Sequence, residues 1–430
     1  MVNNLKLKLY FQKYQAHAGN FTWIIFDKCA RLVTSLFIGA LVARYLGPSS
    51  YGQITLALSY VAFFQGISGL GLDPVIIRDI ARGINRSNLY LGTAFRLRIL
   101  SALVAYPLSI LSIFLFTRGD LSVTLLTALA GITIIFQPWE IIDLWFQSQR
   151  QSWRSSVPRS ISLTIGSLLR LCFVFTHQTI TYFASLTALD GILTGICFLL
   201  SYRSLPAAGQ WSWNPRLAFT MLREAVPLLV SGVFILIYMR FGQLYLGSQQ
   251  GAYSVGIYSV GASFAEALNI IPISLVAAVA PSIALRRSIN RDSYDKIFAR
   301  LSLYLLIFSG VFVALNWLLF RHFIVYLYGD RYILSVSVFS ICSLALVPVS
   351  MGLLQSLWII NEQKTYISFY QSIAGGLTAV ALNLLLVPRY GVHGAAVSVV
   401  ASQYIQAFLV PCFIAPDLLK LQFSFGEALK

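Results

Sequence analysis

The chain reads as an all-α integral membrane protein, with twelve transmembrane helices in two parallel, pseudo-symmetric six-helix bundles around a central cavity. Three observations predict this. Hydrophobic residues make up 57% of the 430 and charged residues only 11%, with a mean hydropathy of +0.75, beyond the apolar share of a soluble domain. Apolar runs of about 20 residues, the length an α-helix needs to cross ~30 Å of hydrocarbon, recur twelve times, and the two halves of the chain echo one another. No stretch alternates with the period of a membrane β-strand, which leaves helices, satisfied in their own backbone groups, as the spanning structure.

Taken in order, the first span (21–45) holds Asp27, Lys28 and Arg31. No small-residue cleavage site follows a short apolar core, so it is expected to stay as a helix rather than leave as a signal peptide. The polar turn "RYLGPSSYG" (44–52) leads into the second span (53–72), and a basic stretch with Arg78, Arg82, Arg86, Arg96 and Arg98 follows. Spans at 96–116, 121–145, 157–176 and 180–202 complete a first half (1–202). A Pro-, Gly- and Trp-containing linker (203–223) separates it from the second half (224–430), whose spans fall at 224–246, 252–281, 298–320, 332–360, 365–387 and 391–415. Pro107, Pro138, Pro227, Pro272, Pro281 and Pro348 lie inside spans, where they bend helices around a cavity or simply reflect the ordinary frequency of membrane-helix proline. Trp23, Trp145, Trp317 and Trp358 sit near span ends and read as an interfacial aromatic belt.

The net charge of +16 comes from 31 Lys and Arg against 15 Asp and Glu. With the amino terminus placed in the cytoplasm and the spans alternating, 22 of the 31 fall on the cytoplasmic side, five outside and four within spans. This is the positive-inside pattern, so the basic stretches after spans two and eight (the latter with Arg286, Arg287, Arg291, Lys296 and Arg300) are topology markers and lipid-headgroup contacts. No nucleic-acid partner is implied, and both termini are expected in the cytoplasm. Five cysteines (Cys29, Cys172, Cys197, Cys342, Cys412) fall in spans without CxxC spacing, and His17, His177, His322 and His393 form no ligand pattern. No metal or cofactor is expected.

The turn at 44–52 has a counterpart. "YLGPSSYGQITLALS" begins at Tyr45 and "YLGSQQGAYSVGIYS" at Tyr245, each joining the first two spans of its half, and a two-residue gap aligns Tyr51 with Tyr253. Halves of six spans keep the same orientation, so the repeats are parallel, as in some transporters. The turn then reads as a scaffold corner, where Gly permits left-handed backbone and Pro stops a helix.

Several runs carry a resemblance over nearly the whole chain: "DKCARLVTSLFIGALVARYLGPSSYG" (27–52), "GLGLDPVIIRDIA" (69–81), "IIDLWFQSQ" (141–149), "VGIYSVGASFAEALNIIPISLVAAVAPSI" (255–283), "LYGDRY" (327–332) and "NLLLVPRYGVHGAA" (383–396). In this order they resemble the oligosaccharide-lipid flippases (Wzx type) of the polysaccharide biosynthesis family, within the multidrug/oligosaccharidyl-lipid/polysaccharide (MOP) exporter superfamily. The resemblance implies movement of a polyprenyl-diphosphate-linked oligosaccharide, such as an O-antigen repeat unit, from the cytoplasmic to the outer leaflet of the plasma (inner) membrane. Whether the protein works alone or beside a polysaccharide polymerase and glycosyltransferases is left open. One departure stands out: where family members often read Arg, apolar, Asp, Gln in helix seven, this chain has Arg240, Phe241, Gly242 and Gln243. Any ion-coupling role of that carboxylate has no residue to fall on at position 242.

Charged residues inside spans point to function in their own right, since each costs on the order of 2.5–3.5 kcal/mol at a helix centre on insertion scales. Arg31, Arg170, Asp190 and Glu266 lie near mid-span, Lys28 shallower on the inner side and Arg240 towards the outer end. A lipid diphosphate needs cations to replace its hydration, and Lys28, Arg31, Arg170 and Arg240 are the candidates to bind it, arginine offering a planar bidentate fork to phosphate. Alternatively, Asp27 and Arg31 pair at i and i+4 while Lys28 snorkels to the headgroups. Asp190 and Glu266, with Asp27, are counterions or carriers of a coupling ion. Glu140 and Asp143 lie at the cytoplasmic end of span four, near Arg150. The competing readings are a cation-coupled multidrug exporter, which would want carboxylates and aromatics facing the cavity, and a membrane polysaccharide polymerase or glycosyltransferase. The latter needs a catalytic acid or base on a sizeable loop, but the outer loops are short and "RDSYD" (291–295) is no DxD motif.

Overall fold

The computed structural model describes residues 2–82, 87–149, 151–204, 209–289 and 291–424, with side chains from residue 31 onward except those of 152, 281, 282, 284–286, 288, 289, 292 and 319–322. The regular structure among these residues is helical. It runs α1 (Val2–Ser68), α2 (Asp73–Arg82), α3 (Ser87–Phe116), α4 (Leu121–Phe136), α5 (Ile141–Ser148), α6 (Ser152–Phe175) and α7 (Ile180–Arg203). After the linker come α8 (Pro215–Leu268), α9 (Ile270–Ile289), α10 (Arg291–Tyr328), α11 (Ser335–Ser343), α12 (Leu346–Asn361), α13 (Tyr366–Tyr404), α14 (Val410–Ile414) and α15 (Pro416–Gln422).

Nine stretches among the described residues are long and apolar enough to cross a membrane. Three are too long for one crossing: Arg31–Arg82 has 52 residues, Pro215–Ala280 has 66 and Tyr366–Ile414 has 49. At ~1.5 Å per residue even the shortest would measure more than twice the hydrocarbon thickness. Gly71 (φ 65°) takes positive φ in the turn between α1 and α2, and each of the three stretches contains, inside a continuous helical run, a further such glycine: Gly47 (φ 74°), Gly251 (φ 78°) and Gly391 (φ 55°). There the chain doubles back, which brings Val42 into one cluster with Ile54 and Ala57 and Gly394 against the Leu386 carbonyl. A Cβ in this left-handed region costs about 1–2 kcal/mol, which is why glycine stands at all three corners. The end of the molecule bearing Gly47 and Gly251 is called the corner end, and the end bearing the linker the linker end.

These corners correct the repeat register. The bend of the second half is at Gly251, not at Gly247 of the repeated Tyr-Leu-Gly. The equivalent pairs are therefore Gly47 with Gly251 and Gly52 with Gly256, at the same separation of 204 residues that divides Thr55 from Ser259. Tyr51 then matches Val255 rather than Tyr253.

The linker also ends earlier than expected. Asn214 caps α8, its side chain accepting from the Arg216 and Leu217 amides, with Pro215 at the first helical position, a start signal that the apolar run conceals. Met221 and Ala225 are buried with Leu72, Val75, Ile76 and Ile80, so the opening turns of α8 belong to the core of the first half.

Other expectations are corrected by burial. Trp145 and Trp358, 5% and 4% exposed, are core residues and not belt anchors; Trp145 packs edge-on against Tyr202. Arg98, 3% exposed, is no headgroup contact but pairs with Asp73. Asp143 turns to Arg159 and accepts from Gln147 Nε2 at 2.8 Å. With Asp143 only 1% exposed, Arg159→Ala strands a buried carboxylate, which costs about 3–5 kcal/mol. We expect a clear fall in the thermal unfolding midpoint of the detergent-solubilised protein, largely restored in Arg159→Ala/Asp143→Asn. At the linker-end surface, Arg287 grips Glu362 with two bonds of 3.0 Å and holds its carboxyl below the usual range.

Candidate functional site: the seam between the halves and its charged pairs

The first half meets the second along the helix that follows Gly47. Near the corner end, Gly52 and Gly256 face each other so closely that a Cβ on Gly52 would lie 1.7 Å from the Ala252 carbonyl oxygen, and one on Gly256 2.0 Å from that of Pro48. The two contacts are reciprocal, as a two-fold relation between the halves requires. One turn further, the Thr55 and Ser259 hydroxyls lie 3.1 Å apart, and Gln243 Nε2 donates to Ser259 Oγ at 2.7 Å and to the Thr55 carbonyl at 3.4 Å. Each hydroxyl also bonds back to its own helix, at Tyr51 and Val255. The interface is thus small residues and a satisfied polar cluster, the usual means of holding membrane helices together.

Towards the linker end the same helix stays closed. Gly66 abuts the Leu236 side chain, and Gly71 lies against the backbone of Ala225 and Leu229. Arg78 then bridges to Glu224 across the halves. Beside this contact, two stretches are less covered, the second of them the one that carries Leu229 and Leu236. No residue from 31 to 39 is buried, although Ala40 and Ala43 just beyond are fully buried against Ile257 and Val260. None from 226 to 241 is buried either. A helix packed in a bundle buries one face, so these two stretches border open space over more than their lipid side. They carry Arg31 and Arg240.

Among the candidate charges, the side chains of Asp27 and Lys28 lie outside the described residues. Arg31 is partly buried. Arg170 on α6 pairs with Asp190 on α7, at 23% and 27% side-chain exposure. Arg240 reaches only to 3.9 Å from Glu266, and both remain more open, at 32% and 40%. Among these candidate charges each half therefore holds one arginine–carboxylate pair of its own, and neither of the two pairs crosses between the halves.

Each acid also lines a cavity in its half. In the first, Asp190 and Glu140 border about 200 Å³ together with Gln65, Thr133, Gln137 and Thr194. Gln65 donates to Thr133 Oγ1 at 2.9 Å, while Gln137 Oε1 and Asp190 Oδ1 are buried acceptors without a partner among the described residues. Glu140 thus belongs to this cavity. In the second, Glu266 borders about 170 Å³ with Tyr238, Tyr258, Asn269, Cys342 and Gln403. Gly242, where the family's carboxylate is absent, is buried, and a Cβ there would sit 2.9 Å from Asn383 Oδ1. Among the described residues no group of three His, Cys, Asp or Glu is placed to hold a metal ion.

Sequence reasoning missed the Gln243–Ser259–Thr55 cluster. The available signal was a glutamine inside an apolar span, an uncommon choice where an unpaired amide is costly.

Comparison with known proteins yields concordant matches. Residues 20–285 match the family of polysaccharide biosynthesis proteins. A Shigella flexneri protein described as "Putative O-antigen transporter" is 22% identical, over 88% of this chain and 93% of its own length. Among solved structures, a multidrug resistance MATE family transporter of the MOP superfamily, in an inward-facing conformation, superposes with a TM-score of 0.73 at 15% identity, covering 90% of this chain and 95% of its own. The lipid II flippase MurJ, in an inward closed conformation, gives 0.73 at 17% identity, with 92% and 89% covered. The fold is that of these transporters.

Proposed function

Since the chain belongs to the polysaccharide biosynthesis protein family, we propose that it is a flippase that moves a polyprenyl-diphosphate-linked oligosaccharide from the cytoplasmic to the outer leaflet of the plasma membrane. The observation that carries this reading is the near full-length likeness to a transporter described for O-antigen. Dividing the three overlong stretches at Gly47, Gly251 and Gly391 turns nine crossings into twelve, six in each half, with the linker and both termini in the cytoplasm.

The mechanism follows from the seam. The glycine contact and its polar cluster close the outer end, while the stretches around Arg31 and Arg240 line a cleft reached from the cytoplasm. The diphosphate is held by Arg240 and Arg31, with Lys28 at the mouth, while the polyprenyl tail stays in lipid. Rocking the halves about the first turns of α8, which are anchored in the first half, parts the seam and exposes the headgroup outside. Arg170, held by Asp190, braces α6 against α7 and stands behind the cleft. A cationic drug would want an unpaired carboxylate, but Asp190 and Glu266 each face an arginine, which weighs against the multidrug reading.

The test is mass spectrometry of polyprenyl-linked oligosaccharides with and without the gene, with leaflet assignment. Complete repeat units are expected to accumulate on the cytoplasmic leaflet of the deletion strain. Unchanged pools together with unchanged surface polysaccharide would overturn the reading.

A further inference from the structure

The two halves differ at one pair of corresponding corners. In the first half, the corner at Gly47 is packed against the turn between α6 and α7: Tyr45 donates to the Gln178 carbonyl at 3.1 Å, and its ring lies 5.8 Å from that of His177 and 6.0 Å from Phe183. In the second half, the corner at Gly251 faces the bend at Gly391 across an open pocket of about 330 Å³. Gln250, Tyr253, Ser254, Arg389 and Tyr390 converge on it, beside a floor of Ile257 and Val392.

None of those five polar side chains makes a hydrogen bond, ion pair or ring contact with another described residue. Tyr253 and Tyr390 are 49% and 62% exposed. Gln250 has room to reach the bend because Gly391 has no side chain: a Cβ there would lie 2.6 Å from both Gln250 Nε2 and Oε1. A structural corner spends its polar groups on itself, as Tyr45 does. This one keeps an amide, a hydroxyl, a guanidinium and two phenols uncommitted around a space of ligand size.

We propose that this pocket is an exit subsite that holds sugar residues of the exported oligosaccharide, separate from the cationic cleft. The inference rests on the export reading above. The chemistry matches a glycan: tyrosine rings stack on the C–H faces of pyranoses, while amide, hydroxyl and guanidinium pair with vicinal hydroxyls or with a uronic carboxylate. A diphosphate site would gather several cations, and among the described residues Arg389 is the one cation that lines this pocket.

The test is saturation-transfer NMR on the full chain in lipid nanodiscs, using glycan released by mild acid from the host's own lipid-linked pool. The wild type is expected to transfer saturation to sugar protons, and Tyr390→Ala and Arg389→Ala to lose at least ~5-fold of that signal, with millimolar inorganic diphosphate unable to displace it. No signal in the wild type, full signal in both variants, or displacement by diphosphate would overturn the subsite. Complementation separates the two claims. A wild-type gene that fails to restore surface polysaccharide to the deletion host sinks the export reading, whereas restoration without a glycan signal sinks only the subsite.

Discussion

Gly52→Val and Gly256→Val are each expected to abolish export while the protein still inserts in the membrane. Valine places a Cβ where the Ala252 or Pro48 carbonyl oxygen already stands, 1.7 and 2.0 Å away, with two methyl groups beyond it. No rotamer relieves this overlap, because the obstructing atoms are backbone, and overpacking is relieved only by moving the helices apart. Separation also breaks the Thr55–Ser259–Gln243 cluster one turn deeper. The transporter would then be held open at its corner end. A single cysteine at Ser259, 4% exposed, should become reactive to a membrane-impermeant maleimide from outside in the valine variants and remain protected otherwise. Gly310→Ala and Gly352→Ala serve as controls, since no atom lies within 4 Å of a Cβ at either position, and both should export normally. Normal export by Gly256→Val with Ser259 still shielded would show that the seam does not close as described.

Much of the fold was legible because the bilayer leaves few options. A backbone without water must hydrogen-bond within its own helix, so apolar run length alone places the spans. The corner at Gly47 was legible too, since Gly-Pro can do little else. Its partner was not: Tyr-Leu-Gly at 245 copies the first corner's letters, yet the bend falls at Gly251, because the identity of a glycine does not say which one takes positive φ. Partners distant along the chain were equally hidden. Arg98 and Asp143 belong to types usually found at surfaces, and only the packed structure brings Asp73 and Arg159 to them. For the same reason the mid-span charges were found but not sorted. Nothing local distinguishes Arg170, with an acid about three helix turns into the next span, from Arg240, whose acid stands farther off.

That distinction makes opposite predictions for the two arginines. Arg170 and Asp190 are in direct contact and about a quarter exposed. Removing the arginine leaves a carboxylate in an apolar setting, a loss of up to about 3–5 kcal/mol for a fully buried pair and somewhat less here. Arg170→Ala should therefore lower the thermal unfolding midpoint by several degrees, and Arg170→Ala/Asp190→Asn should restore both the midpoint and much of the export. Arg240 and Glu266, 3.9 Å apart and 32% and 40% exposed, contribute ~1 kcal/mol or less to stability. Arg240→Ala should leave the midpoint nearly unchanged. If its fork binds the diphosphate, the loss of a charge-assisted contact worth about 1.5–3 kcal/mol lowers export by about 10- to 100-fold. Glu266→Gln should not rescue it, and Arg240→Lys, which keeps the charge without the bidentate geometry, should fall between. An Arg240→Ala protein that melts as early as Arg170→Ala and is repaired by Glu266→Gln would make this pair a brace as well, and the phosphate-binding role would have to pass to Arg31.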